Sequence, residues 1–187
     1  MRRLILVFIM LFMAYPAVAQ EIAGVTIDEK ITATDGTVLH LNGAGIRKKA
    51  WFKIYIAQLY LQNTSTDAAQ VIADEGNKRV VMHFLYDKVG KEKLVSSWND
   101  GFSANNDATG LASLQSRIDT FNAMFVEDAV KGDVISFDYL PGKGTSVTIK
   151  GKDLGMIEGK DFNDALLSIW LGAKPVSSDL RKAMLKK

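Results

Sequence analysis

Apolar residues run from Trp51 to Leu61 with only Lys53 and Gln58 interrupting, and the run is dense in aromatic and β-branched side chains. That pattern predicts a strand over 51–61 buried on both faces, hence a central strand of a sheet covered on each side. Just ahead of it, Gly43-Ala44-Gly45 sets a small residue between two glycines, so the backbone there can turn tightly and pass close to another segment or a ligand. Shorter runs predict strands over 21–27, 30–33 and 38–41, with Asp35-Gly36 as a hairpin turn. A strand over 79–86 follows from Val81, His83 and Leu85 alternating with Val80, Met82, Phe84 and Tyr86. Strands over 134–140, 145–150 and 153–157 are separated by the turn formers Pro141-Gly142, Gly144 and Gly151.

Elsewhere the period changes to three and four. A short helix is expected over 66–75, opened by a Thr or Ser cap. Two longer helices carry single apolar stripes, Leu94, Val95, Trp98 and Phe102 on one and Leu111, Leu114, Ile118, Phe121 and Phe125 on the next. Phe162, Ala165, Leu166 and Ile169 stripe another, which Gly172 ends and Pro175 prevents from continuing. A last short helix starts at Ser177-Ser178. Strands first, helices between and after, then strands again predict an α+β layer structure: a largely antiparallel sheet with helices on one face. No linker, repeat or low-complexity block divides residues 20–187, which read as one domain.

The first nineteen residues are set apart from that domain. Arg2-Arg3 precede an unbroken apolar stretch, Leu4 to Met13, and Ala17-Val18-Ala19 supplies a small-residue site, so residues 1–19 read as a secretory signal cleaved before Gln20. The apolar stretch is short of the roughly 20 residues a membrane span needs, and with no cysteine in the chain there is no lipoprotein anchor point. The arginines begin at the second residue without the polar context of twin-arginine export, so the Sec route and a periplasmic or secreted location are expected. Removing Arg2 and Arg3 takes the 23 basic residues to 21, equal to the 21 acidic ones. A chain so close to neutral offers no overall basic field for nucleic acid. Without cysteines its stability has to come from packing.

Recognisable catalytic patterns are missing. His40 and His83 are the only histidines, each in a predicted strand, and no metal-ligand spacing, nucleophile elbow, phosphate loop or dinucleotide fingerprint is present. No metal or cofactor is expected. The feature with chemical content is Arg47, at the start of the long apolar run. A guanidinium there is costly to bury unless an anion or another acceptor meets it.

The segment from Leu41 to Leu61, with its G-A-G-x-R pattern at Gly43 to Arg47 and the strand ending in Tyr60-Leu61, resembles the chalcone isomerase fold family. The C-terminal stretch Gly159 to Leu185 is similar to that family's closing pair of helices, with the joint at Leu171, Gly172, Pro175 to Ser177, Asp179 and Leu180. The resemblance implies an open-faced β-sandwich with a ligand cleft between sheet and helices, closest to the bacterial chalcone isomerase-like proteins of the cell envelope. The family's enzymes close a phenolate onto an enone, using an arginine for the oxyanion and a threonine and a tyrosine to organise water, so catalysis rests on electrostatic preorganisation.

Carried over residue by residue, the resemblance puts Arg47 at the arginine, Tyr55 at the threonine, Trp98 at the tyrosine and Asn105 at a family asparagine. Ile169 and Trp170 fall on the two helix positions that touch substrate in the enzymes. Most of the polar apparatus is thus replaced, and the set suits an amphiphile with an acid head and an apolar tail. The implied function is an exported, non-enzymatic protein binding a small hydrophobic or carboxylate-headed ligand such as a fatty acid, with Arg47 on the head group. Two alternatives stay open: an isomerase or lyase acting on an unsaturated phenolic compound, and an envelope interaction protein with a vestigial cleft and an unspecified protein partner. Arg47 could equally serve a structural ion pair, and Trp98, Ile169 and Trp170 could be plain core. Open space of about 300 Å³ or more beside Arg47 favours binding, and a collapsed cleft favours the interaction reading; the basic runs Arg47-Lys48-Lys49 and Lys88 to Lys93 read as solvated turns or helix faces.

Overall fold

The computed structural model describes residues 20–186; the expected signal segment, 1–19, lies outside them. The chain begins with β1 (Gln20–Ile22) and β2 (Val25–Ile27), a hairpin where the sequence predicts one strand. Ala23 and Gly24 both take positive φ and fold the segment back. Then come β3 (Lys30–Thr32), β4 (Val38–Lys49), β5 (Phe52–Leu61), the short α1 (Ala68–Ala73), β6 (Lys78–Phe84) and a two-residue β7 (Lys88–Val89). Helices α2 (Lys91–Asn105) and α3 (Ala108–Ala123) follow, then β8 (Ala129–Val130), β9 (Val134–Leu140), β10 (Gly144–Ile149) and β11 (Lys152–Ile157). Helices α4 (Lys160–Leu171) and α5 (Ser178–Met184) close the chain.

Seven strands form one curled antiparallel sheet in the order β11-β10-β9-β6-β5-β4-β3, with β5 interior to it as its apolar run requires. Side chains of β5 alternate between two environments, as a strand's must. Tyr55, Ala57, Leu59 and Leu61 enter the main core, which contains the buried faces of the helices, whereas Tyr60 joins a smaller cluster with Ala33 and Leu39. Helix α4 is buried without a break from Ala165 to Leu171, so its C-terminal half is enclosed on every side, while Lys160, Asp161 and Asp164 keep its first turns partly in solvent. This is the α+β, sheet-and-helix-layer architecture the period changes predict.

Two departures from expectation matter for the site. The Gly43-Ala44-Gly45 segment does not reverse the chain: β4 continues through it, with a register shift between Leu41 and Gly43, and the reversal comes at Ala50, whose φ is 53°. The glycines serve the other use open to them, close approach. A Cβ on Gly43 would overlap the Ala183 carbonyl, and one on Gly45 would sit 2.5 Å from the Ala183 Cβ, so α5 lies directly on the bare backbone of β4. Secondly, β6 stops at Phe84 because the next two amides, Leu85 and Tyr86, both turn onto the Ile54 carbonyl, at 2.9 and 3.1 Å. That turn leads into β7, which pairs with β8 in a two-residue ladder visible only in three dimensions. Helix α1 is capped by Asp67, whose carboxylate accepts from the Ala69 amide at 2.8 Å, and the neighbouring Thr66 is not the cap.

Candidate functional site

Between the helix-facing side of β4, β5 and β6 and the overlying α2 and α4 lies a hollow of about 260 Å³, just under the usual range for ligand sites. Its apolar floor is Tyr55, Met82 and Phe84; Leu94, Trp98 and Ile169 cover it. Arg47, Lys49, Lys88 and Lys93 bring cations to its wall, and the residues lining it include no aspartate or glutamate.

Arg47 stands directly opposite Tyr55 in the β4–β5 register, and the ladder shifts immediately after it, between Arg47 and Lys48. Such an irregularity re-aims side chains at the end of a strand. The guanidinium donates to the Lys48 carbonyl. Among the described residues no carboxylate pairs with it, so the structural ion pair that sequence alone left open is not made.

Tyr55 is buried, and its hydroxyl accepts the indole N–H of Trp170 at 3.1 Å. Burial pushes the phenol up to about 12, against the opposing pulls of the Trp170 hydrogen bond and the Arg47 charge. Tyr55 is therefore a neutral phenol at neutral pH. Among the described residues its own proton has no acceptor, which leaves it free to donate into the hollow.

Trp98 is 3% exposed and meets Phe121, Phe137 and Trp170 edge-on, at centroid distances of 5.8, 5.7 and 5.9 Å. These contacts hold the ring, and the indole body belongs to the core. Its Nε1–H, however, is buried with no acceptor among the described residues. A donor left so costs about 1–3 kcal/mol, and a core-only role does not account for it.

Of the six residues marked from sequence, Arg47, Tyr55, Trp98 and Ile169 share the lining. Trp170 is fully buried behind Tyr55 and acts on the hollow by fixing that phenol. Asn105 is not with them. Its amide donates to the Gly101 carbonyl at 3.1 Å and the Lys174 carbonyl at 3.0 Å, and its oxygen accepts the Lys174 amide at 2.9 Å, so it ties the end of α2 to the joint between α4 and α5. The reason is helix geometry: seven residues beyond Trp98 is the same face, but about 10 Å further along the axis.

Sequence reasoning missed Lys49, Lys88 and Lys93. Two basic runs about forty residues apart read separately as solvated segments, and only the β4–β5 hairpin packing beside the start of α2 brings them together. Lys88 is held by Asp128 at 2.7 Å, whereas Lys49 and Lys93 form no ion pair among the described residues. The two histidines lie in β4 and β6; among the described residues no cluster of histidine and carboxylate side chains is arranged to hold a metal, and no helix is long and apolar enough to cross a membrane.

A search of curated protein sequences finds no match. Among solved structures the fold is similar to the crystal structure of a fatty-acid-binding protein of Arabidopsis thaliana, with a TM-score of 0.62 at 15% identity, over 84% of this chain and 96% of that one. At that identity the likeness shows a common fold. The family model described as chalcone isomerase-like matches residues 19–186, nearly the whole chain, and with the sheet and the helix layer it leads to one conclusion: the chain belongs to the chalcone isomerase-like family.

Proposed function

We propose that this protein is a non-enzymatic binding protein for a small amphiphile with an anionic head and an apolar body, a fatty acid being the simplest such molecule. The observation that carries the reading is the asymmetry of the hollow: Arg47, Lys49 and Lys93 on its wall without a carboxylate partner among the described residues, a fourth cation, Lys88, held by Asp128, and an apolar floor and cover beneath them. A carboxylate head fits the unpaired Arg47, and the free protons of Tyr55 and Trp98 give it further donors. The binding function in the name of the Arabidopsis neighbour agrees with this reading. The Arg2-Arg3, apolar-run and A-x-A pattern of residues 1–19 supports action outside the cytoplasm, in the periplasm or secreted.

The test is the affinity of a fluorescent fatty acid for wild type and Arg47→Ala. A charge-assisted pair contributes roughly 1.5–3 kcal/mol, so affinity should fall about 10- to 150-fold. Equal affinities, or no binding to either folded protein, overturn the proposal.

A further inference from the structure

The β4–β5 turn carries residues that a folding argument alone does not explain. Trp51, which the sequence places at the start of a buried strand, is 82% exposed, and Phe52 beside it is 44% exposed. Lys48 and Lys53 sit directly opposite each other in the ladder, a like-charge pair that disfavours the hairpin. No acidic residue occurs between Asp35 and Asp67 in sequence, and among the described residues none of Lys48, Lys49 and Lys53 forms an ion pair. The rings step inward from the tip: Trp51 to Phe52 at 5.5 Å, then Phe52 edge-on to Tyr86 at 5.3 Å, and Tyr86 lines the hollow.

We infer that this turn docks on an anionic phospholipid bilayer, with Trp51 and Phe52 at the level of the headgroups and Lys48, Lys49 and Lys53 on the lipid phosphates. Indole and phenyl rings combined with lysines that can bury their stems and keep their ammonium groups in the headgroup layer match a membrane interface. The unpaired cations complement the charge of an anionic leaflet. Protein partners instead require a broad patch, about 800 Å² on each side, which two residues at a hairpin tip do not supply. Docked this way, the cationic side of the hollow lies beside the membrane, the richest source of amphiphiles. The docking itself does not rest on the carrier reading, because it needs no ligand.

The experiment is vesicle binding by the full mature chain without fatty acid. Vesicles of phosphatidylglycerol mixed with phosphatidylcholine are compared with phosphatidylcholine alone, by co-sedimentation and tryptophan emission. Trp98 and Trp170 are buried, so a blue shift on adding vesicles reports Trp51. Wild type should bind the anionic vesicles with a blue shift, more weakly as salt rises, and bind the neutral ones poorly. Both Trp51→Ala and the double variant Lys48→Glu, Lys53→Glu should bind at least tenfold more weakly while keeping the wild-type circular dichroism. Failure of folded wild type to bind anionic vesicles overturns the inference, as does equal binding by Trp51→Ala. So does a turn that instead mediates self-association, seen by sedimentation as a dimer that Trp51→Ala abolishes and vesicles leave intact.

Discussion

Trp170 on α4 and Tyr55 on β5, 115 residues apart, are joined by one buried hydrogen bond, indole N–H to phenol oxygen at 3.1 Å. It fixes the phenol at the floor of the hollow and is the sole hydrogen bond of the Trp170 side chain among the described residues. Tyr55→Phe keeps the ring but strands a fully buried donor, a loss of about 1–3 kcal/mol. Urea unfolding should show a lower midpoint at unchanged slope. A midpoint equal to wild type would mean that Trp170 finds another acceptor.

Trp98 should behave in the opposite way. Its N–H has no acceptor to lose, so Trp98→Phe removes a buried unsatisfied donor and part of a ring. The two effects oppose each other, since the lost ring atoms leave a cavity while the stranded donor disappears, so the net stability change should be small, within about 1.5 kcal/mol. If a bound carboxylate accepts that N–H, fatty-acid affinity should fall about 10- to 150-fold, for a charge-assisted hydrogen bond of about 1.5–3 kcal/mol. Calorimetric titration of the two proteins checks this, and unchanged affinity assigns Trp98 to the core alone.

These two tryptophans show what was legible in the sequence. Strand and helix periods located nearly every element, because burial on one face leaves a pattern in the chain. The pairing of Trp170 with Tyr55 left none, since it depends on how α4 crosses β5. Gly43 and Gly45 signalled a place where backbone comes close to something, which proved true, but the neighbour is α5, from the far end of the chain. Asn105 went astray for a related reason: a seven-residue step keeps a helix face and says nothing of depth along it. Trp51 read as a core residue because the apolar run includes it, and the turn at Ala50 that exposes it carries no glycine or proline.

Lys78 gives the fold an unusual pH profile. Its buried ammonium donates to the Asp74 carbonyl and lies 4.8 Å above the Tyr139 ring. Burial, then the Lys160 charge, lowers it from 10.5 to about 8, against the pull of Asp74, Asp164 and Glu75. Between pH 8 and about 10 the unfolded chain therefore holds a proton that the folded chain releases, and stability rises with pH. Above pH 10 the sign reverses: burial raises Tyr55 and Tyr60 from 10.0 to about 12, so the unfolded chain ionises first and stability falls. Urea midpoints across this range should pass through a maximum near pH 10. Lys78→Met should abolish the rising limb and stabilise the protein at pH 7 by on the order of 2 kcal/mol; a rising limb that survives the substitution assigns it to another group.

Leu94, in the first turns of α2, lines two hollows at once. One is the site beneath Arg47; the other, of about 220 Å³, is bounded by Phe125, Ile135, Ile149 and Leu154. Met82 and Ile135 are partners across β6 and β9, and each lines one of the two, so the boundary between them falls at this cross-strand pair, with Leu94 common to both. At about 30 Å³ per chain carbon, the volume a water takes in the liquid, the first hollow alone houses on the order of eight or nine carbons. Leu94→Ala should join the compartments and nearly double that length. The apo protein should lose about 2–5 kcal/mol, the usual range for truncating a buried leucine, and long-chain acids should restore part of it by filling the space. Affinities measured over a series of fatty acids should then peak at a longer chain in Leu94→Ala than in wild type. If the optimum stays put while stability drops, Leu94 is packing alone and the second hollow takes no part in binding.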